Sequence, residues 1–301
     1  FIEFNPGEVV QVKTASSYIS LEQAELNLKT ELGADQTLEQ TKAKAAAVWN
    51  KSLGKIEVEG GSKADLETFY SCFFRASLFS RKFYELDAKG NPYYFSPYDG
   101  KVHQGYMFTD TGFWDTFRAQ FPLNTLVQPE MQGRYVQALL DAYDQCGWLP
   151  SWSFPSEAGS MIGNHAISLL TDAWAKGIKT FDAKKALDAY YHEAMNKGPW
   201  GPANGRDGVK DYNSLGYVSY PKYREATAKT LEYAYDDYCG YALAKMTGDQ
   251  HYMDVFAKPM YNYKNVYDPG TRFMRGKDGS GAWAPNFDPT EWGGPFTEGN
   301  A

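Results

Sequence analysis

From about residue 60 to residue 262 the chain carries almost no strand pattern, and apolar residues recur instead at helical spacing. Leu66, Phe69, Tyr70, Phe73, Phe74, Ser77 and Leu78 fall on one helix face. Val136, Leu139, Leu140 and Tyr143 mark a second; Ile162, His165, Ala166, Leu169, Leu170, Ala173 and Trp174 a third; Leu231, Ala234, Tyr235, Tyr238 and Ala242 a fourth. Two of these helices end alike, at Lys176-Gly177 and at Lys245-Met246-Thr247-Gly248. A lysine there meets the negative end of the helix dipole, and a glycine accepts the left-handed cap. Each ending is followed by a second helix, starting near Phe181 and near Gln250, so one helical hairpin is used twice. Paired helices without a sheet bury their stripes only against other pairs. The predicted class is therefore mainly α, with the pairs arranged as an (α/α)6 toroid. About four pairs can be counted, so the ring is expected to be incomplete, with C-terminal sequence beyond Ala301.

Three regions are expected. Residues 1–20 hold one strand pattern, Val9-Val10-Gln11-Val12-Lys13, read as the last strand of an N-terminal β-sandwich that precedes Phe1. Residues 21–58 read as a helical linker: one helix through Leu21, Ala24, Leu26 and Leu28 to Gly33, then another capped by Asp35 or Thr37 and running to Trp49. Residues 59–301 form the helical domain. Within it, residues 83–111 are predicted to be a long loop, ordered over a cleft by its aromatic residues.

Composition narrows the ligand. The chain has 16% aromatic residues and a net charge of −7. That charge argues against nucleic acid or an anionic membrane as the main partner, and no apolar run reaches the length of a membrane span. Gly112-Phe113-Trp114-Asp115-Thr116-Phe117-Arg118 sets aromatic rings, a carboxylate and a guanidinium within one short segment. Pyranoses use that mixture, stacking their C–H faces on rings and bonding their hydroxyls to fixed polar groups. The same residues would also make an ordinary amphipathic turn, with Asp115 paired to Arg118. Cys72, Cys146 and Cys239 have no ligand-like spacing and read as small buried hydrophobes.

Other loops offer candidates. Gly147-Trp148-Leu149-Pro150-Ser151-Trp152-Ser153-Phe154-Pro155 is too proline-rich for a helix, so its aromatics either pack or line a site. His165 lies on an apolar face, where a core role is the commoner one, but Gly163 and Asn164 place it next to a helix start. Asp236 and Asp237 are neighbours on a helix and point roughly 100° apart, so they cannot serve one acceptor. Glu298 stands beside Gly299, close to Trp283 and Trp292.

Several of these segments, in the same order, resemble the motifs of the glycoside hydrolase family 92 catalytic domain. They are Phe113-Trp114-Asp115-Thr116-Phe117-Arg118-Ala119, Gly147-Trp148-Leu149-Pro150, Met161-Ile162-Gly163-Asn164-His165-Ala166, Tyr235-Asp236-Asp237, Asn262-Tyr263-Lys264-Asn265, Phe273-Met274-Arg275 and Thr297-Glu298-Gly299-Asn300-Ala301. The family joins a β-sandwich to an (α/α)6 barrel and consists of calcium-dependent exo-α-mannosidases. The resemblance implies an inverting hydrolase that releases terminal α-linked mannose from glycans, N-glycans among them, in an extracytoplasmic bacterial location.

It also implies roles. Glu298 matches the general acid, and Asp115 matches an aspartate that holds the terminal mannose. Trp114, Arg118, His165 and Trp148 match positions expected to bind substrate. Calcium is expected as cofactor, with ligands not assignable to particular residues. A general acid must hold its proton near neutral pH, which calls for apolar or anionic surroundings. Inversion requires a second carboxylate roughly 6.5–9.5 Å away, expected beyond the C-terminus of this chain. The expected partners are therefore a mannoside substrate and the missing N- and C-terminal segments of the same protein. Linkage specificity is not legible. The alternatives are another (α/α)6 glycosidase or polysaccharide lyase, or a non-catalytic carbohydrate-binding fragment.

Overall fold

Of the two caps expected for the second linker helix, Thr37 is the one formed, and it closes a capping box: its side chain accepts from Gln40 N, while the Gln40 side chain accepts from Thr37 N. The computed structural model describes residues 2–299 and divides into two units. Of the described residues, the first comprises 2–74, 83–96 and 100–107; the second comprises 75–82, 97–99 and 108–299.

In the first unit, α1 (Leu21–Asn27) is capped by Ser20 and runs into a π-helical turn ending at Gly33. Next come α2 (Leu38–Leu53) and α3 (Lys63–Ala76), the last two residues of which pass into the second unit. Trp49 of α2 packs on Phe74 of α3 with ring centroids 4.4 Å apart. The stripe on α3 is shallower than its periodicity implies, because Phe73 is its one buried residue and Leu66, Phe69 and Tyr70 are half-buried. Cys72 is exposed and Cys146 partly so, leaving Cys239 as the buried thiol of the three.

Val9–Lys13 pairs with no described segment, and Val9 is 91% exposed; a strand exists only through its ladder, and the ladder expected for this one lies with residues before Phe1. One expectation is corrected here. Residues 83–111 are not one long loop. Glu85–Leu86, Pro92–Phe95 and Val102–Gln104 form an antiparallel three-stranded sheet. Its first turn is tied by Asp87 Oδ1, which accepts from Lys89 N and Asn91 N. On the middle strand Tyr94 points inward at 1% exposure while Phe95 faces out, the period-two alternation of a one-sided sheet.

The second unit is built from helical hairpins. After α4 (Phe113–Thr116) come α5 (Gln120–Val127) with α6 (Pro129–Cys146), and α7 (Ala166–Ala175) with α8 (Ala183–Met195). A short α9 (Val209–Leu215) precedes α10 (Ala226–Thr247) and α11 (Gln250–Phe256). Val136, Leu140, Ile167, Leu170, Leu187, Tyr190, Leu243 and Phe256 form one continuous core through the three pairs. Gly240 lets α8 and α10 approach, since a Cβ there would stand 2.7 Å from the Tyr190 ring. The stacking is that of an (α/α)6 toroid, of which these pairs supply a part.

The proline-rich loop after α6 packs. Leu149 N donates to Glu193 at 2.9 Å, and Glu157 accepts from Ser151 N, Ser151 Oγ, Trp152 N and Gly159 N. Both carboxyls are pushed up by burial, Glu193 to about 8.

Candidate active site

The N-terminal ends of α7 and α10 meet the segment around α4, and the site lies where they converge. His165 is the N-cap of α7, with α-helical φ and ψ of −66° and −4°, so the apolar face drawn through Ile162 begins one turn before the helix itself. Its ring is 1% exposed and stacks on Phe117, centroids 4.2 Å apart and planes 20° from parallel. The ring position depends on Gly163: at φ +88° a Cβ there would lie 2.3 Å from His165 Nε2.

Asp236 and Asp237 diverge as their adjacency requires. Asp236 Oδ1 meets His165 Nδ1 at 2.9 Å, and its Oδ2 accepts from Asn164 N at 2.6 Å. Asp237 turns the other way and accepts from Arg206, Tyr190 Oη and Tyr212 Oη. Because Asp236 is acceptor-only, His165 Nδ1 is the donor of that pair. Burial disfavours a charged His165 ring, but the charge and hydrogen bond of Asp236, helped by Glu232, outweigh it and raise its pKa.

Glu232, absent from the sequence-derived candidates, joins the parts. Its Oε1 accepts from Trp114 Nε1 at 3.1 Å and from Arg118 Nη2 at 3.2 Å. Its Oε2 lies 3.5 Å from His165 Nε2, an ion-pair distance beyond hydrogen-bond length. Arg118 lies over the Phe117 ring, its Cζ 4.6 Å from the centroid. Glu232 is one turn before Asp236 on α10, so the i,i+4 rule could have placed both carboxylates on the His165 side.

A cavity of about 460 Å³ opens here, lined by Trp114, Glu232, Arg272 and Phe296 among others, and by Thr297 and Gly299. Glu298 therefore sits between two lining residues, with its own side chain exposed. Its φ is +65°, and Gly299 N donates back to Thr297 O at 2.9 Å, which closes a tight turn at this residue. The loop is fixed by the start of α10: Glu225 N donates to Gly294 O, and Thr227 N and Ala228 N donate to Pro295 O. Donors that a helix start leaves unpaired thus anchor the Glu298 segment. Asn300 and Ala301 of that motif lie outside the described residues.

Of the expected site residues, Trp114, Arg118 and His165 meet at Glu232, and Glu298 flanks the same cavity. Asp115 is exposed on the turn between Trp114 and Arg118. Trp148 does not join them. It packs on His192 at 4.4 Å in the pinned loop, outside the lining of this cavity.

Calcium takes roughly 6–8 hard oxygen ligands. Among the described residues no group of three or more His, Cys, Asp or Glu could hold a metal ion. Glu232 and Asp236 are already engaged by cationic or N–H donors. No helix among the described residues is long and apolar enough to cross a membrane.

A stack of helical hairpins with a Trp–Arg–carboxylate cluster over a cavity is suited to a polyhydroxylated ligand. Residues 23–301 match the model of the glycosyl hydrolase family 92 catalytic domain. The chain belongs to glycosyl hydrolase family 92. It superimposes on a family GH92 inverting mannosidase from Bacteroides thetaiotaomicron with TM-score 0.92 at 51% identity, covering 94% of this chain and 38% of that one. A GH92 α-mannosidase from the same organism gives TM-score 0.83 at 36% identity, with 94% and 37% covered. An uncharacterized secreted glycosidase of Arthroderma benhamiae is 25% identical over 300 residues, 94% of this chain and 34% of that protein. The chain thus spans between a third and two fifths of the length of these relatives.

Proposed function

We propose that the protein is an inverting exo-glycosidase that releases terminal α-linked mannose from glycans outside the cytoplasm. The observation that carries this reading is that Trp114 and both neighbours of Glu298 line one cavity. Two of the structural relatives are mannosidases by description, one of them inverting, and a further structure of an α-mannosidase relative holds mannoimidazole. Trp114 stacks on the sugar face, Asp115 and Arg118 bond its hydroxyls, and Glu298 protonates the leaving oxygen. The Glu298 carboxyl is exposed among the described residues, so the apolar or anionic surroundings that a general acid needs are not supplied by them and would come with the remainder of the protein. The second carboxylate that inversion needs is assigned to no residue of this chain. A calcium requirement rests on the family resemblance alone, and no step here passes through the ion.

The test is a panel of aryl glycosides with the full-length protein. α-Mannosides are cleaved selectively, and a calcium chelator abolishes the activity. Glu298→Gln lowers the rate on a poor leaving group by roughly 10²–10⁴. An unchanged rate in that variant removes Glu298 from its role.

A further inference from the structure

Glu232 is surrounded by donors and still reaches the cavity. A carboxylate offers about four acceptor positions. Trp114 Nε1 and Arg118 Nη2 use Oε1, and His165 Nε2 faces Oε2. The side chain is nonetheless 17% exposed and lines the cavity beside Trp114 and Thr297. A strut between helices has no need of that exposure, and burying it fully would strengthen its bonds.

The donors are themselves held. Trp114 and Arg118 belong to one short segment that Phe117 clamps against His165. His165 is fixed from behind by Asp236, which is fixed in turn by Asn164 N. Two donors thus hold Oε1 before a ligand arrives, while Oε2 has no hydrogen bond of its own among the described residues, an arrangement that can orient a sugar rather than merely attract one.

We propose that Glu232 is a sugar-contacting residue of the site, accepting a hydrogen bond from one ring hydroxyl of the terminal residue and so fixing which hexose is accepted. This rests on reading the cavity as a sugar site, and goes beyond it by naming a specificity-determining carboxylate. Arg118, 53% exposed, keeps N–H groups beyond the one given to Glu232. The pair thus offers an acceptor and a donor side by side, which suits one hydroxyl or two adjacent ones.

The experiment compares the full-length protein with Glu232→Gln on an aryl α-mannoside and on its 2-, 3-, 4- and 6-deoxy analogues. In the unaltered enzyme, removing the hydroxyl that meets Glu232 lowers kcat/KM by about 10- to 100-fold, the range for a hydrogen bond to a charged group. In Glu232→Gln that one penalty falls to about threefold or less, while penalties for the other hydroxyls persist. Each penalty is a ratio within one variant, so a partly folded preparation does not distort it. If every deoxy sugar loses the same factor in both proteins, Glu232 is structural only and the proposal is overturned. If another hexoside is cleaved in place of mannosides, the mannose reading fails, and the same cycle on that hexose decides Glu232. A protein that turns over no glycoside overturns both.

Discussion

Arg206 donates to Asp237 through both terminal nitrogens, at 2.7 and 3.3 Å, and neither side chain is more than 1% exposed. The guanidinium also lies over the rings of Tyr212 and Tyr233, 5.0 and 4.8 Å from their centroids. Removing one member leaves a buried charge without its partner. Arg206→Ala is expected to destabilise the folded protein by about 3–5 kcal/mol, read as a lower denaturant midpoint. An unchanged midpoint would mean that the pair contributes nothing net.

Stability should also depend on Glu193. Burial raises its carboxyl to about 8 against donors from Leu149 N and Gly205 N, with Glu157 adding to the rise. The folded state therefore binds more protons than the unfolded chain between about 4.5 and 8, and stability falls as pH rises through that window. The full difference is on the order of 4–5 kcal/mol. Glu193→Gln is expected to flatten this slope in urea melts taken from pH 5 to 9.

Gly163→Ala places a methyl where His165 Nε2 now lies, at a backbone angle of +88°. The strain is expected to cost about 1–3 kcal/mol. Displacing the ring from Glu232 should lower kcat/KM by roughly tenfold or more. Thermal unfolding and steady-state kinetics on the same preparation separate the two effects.

Trp114→Phe keeps an aromatic face in the cavity and deletes the Nε1–H that Glu232 Oε1 accepts. A loss of about 5- to 30-fold in kcat/KM is expected, with little change in melting temperature. A larger loss in Trp114→Ala would report the stacking face. Equal losses in the two variants would show that the indole nitrogen alone matters.

Helix starts and stops were legible where one residue decides them, as at Thr37 and at Gly248, which caps α10 in the left-handed conformation at φ +76°. The small sheet was not, because strands of two to four residues carry too little alternation to stand out among turn residues. Val9–Lys13 shows the converse, a clear pattern whose pairing depends on residues far from it. In the site, Trp114 and Arg118 were visible through their shared segment, but their acceptor is more than 110 positions away. A glutamate on a helix ordinarily reads as solvated, so Glu232 gave no signal of its own. Trp148 packs on His192 instead of lining this cavity, since the hydrogen bonds that hold its loop go to Glu157 and Glu193.

Asp236 and Asp237 send α10 into two separate wirings, one toward His165 and the other toward Arg206. Deleting or inserting one residue just before them would rotate the pair by about 100°, so each aspartate would leave its own partner together. This stretch of α10 is thus constrained in register more tightly than in residue type. Natural variation should accumulate there as substitutions on the outer face, while single-residue length changes stay confined to the connections at either end.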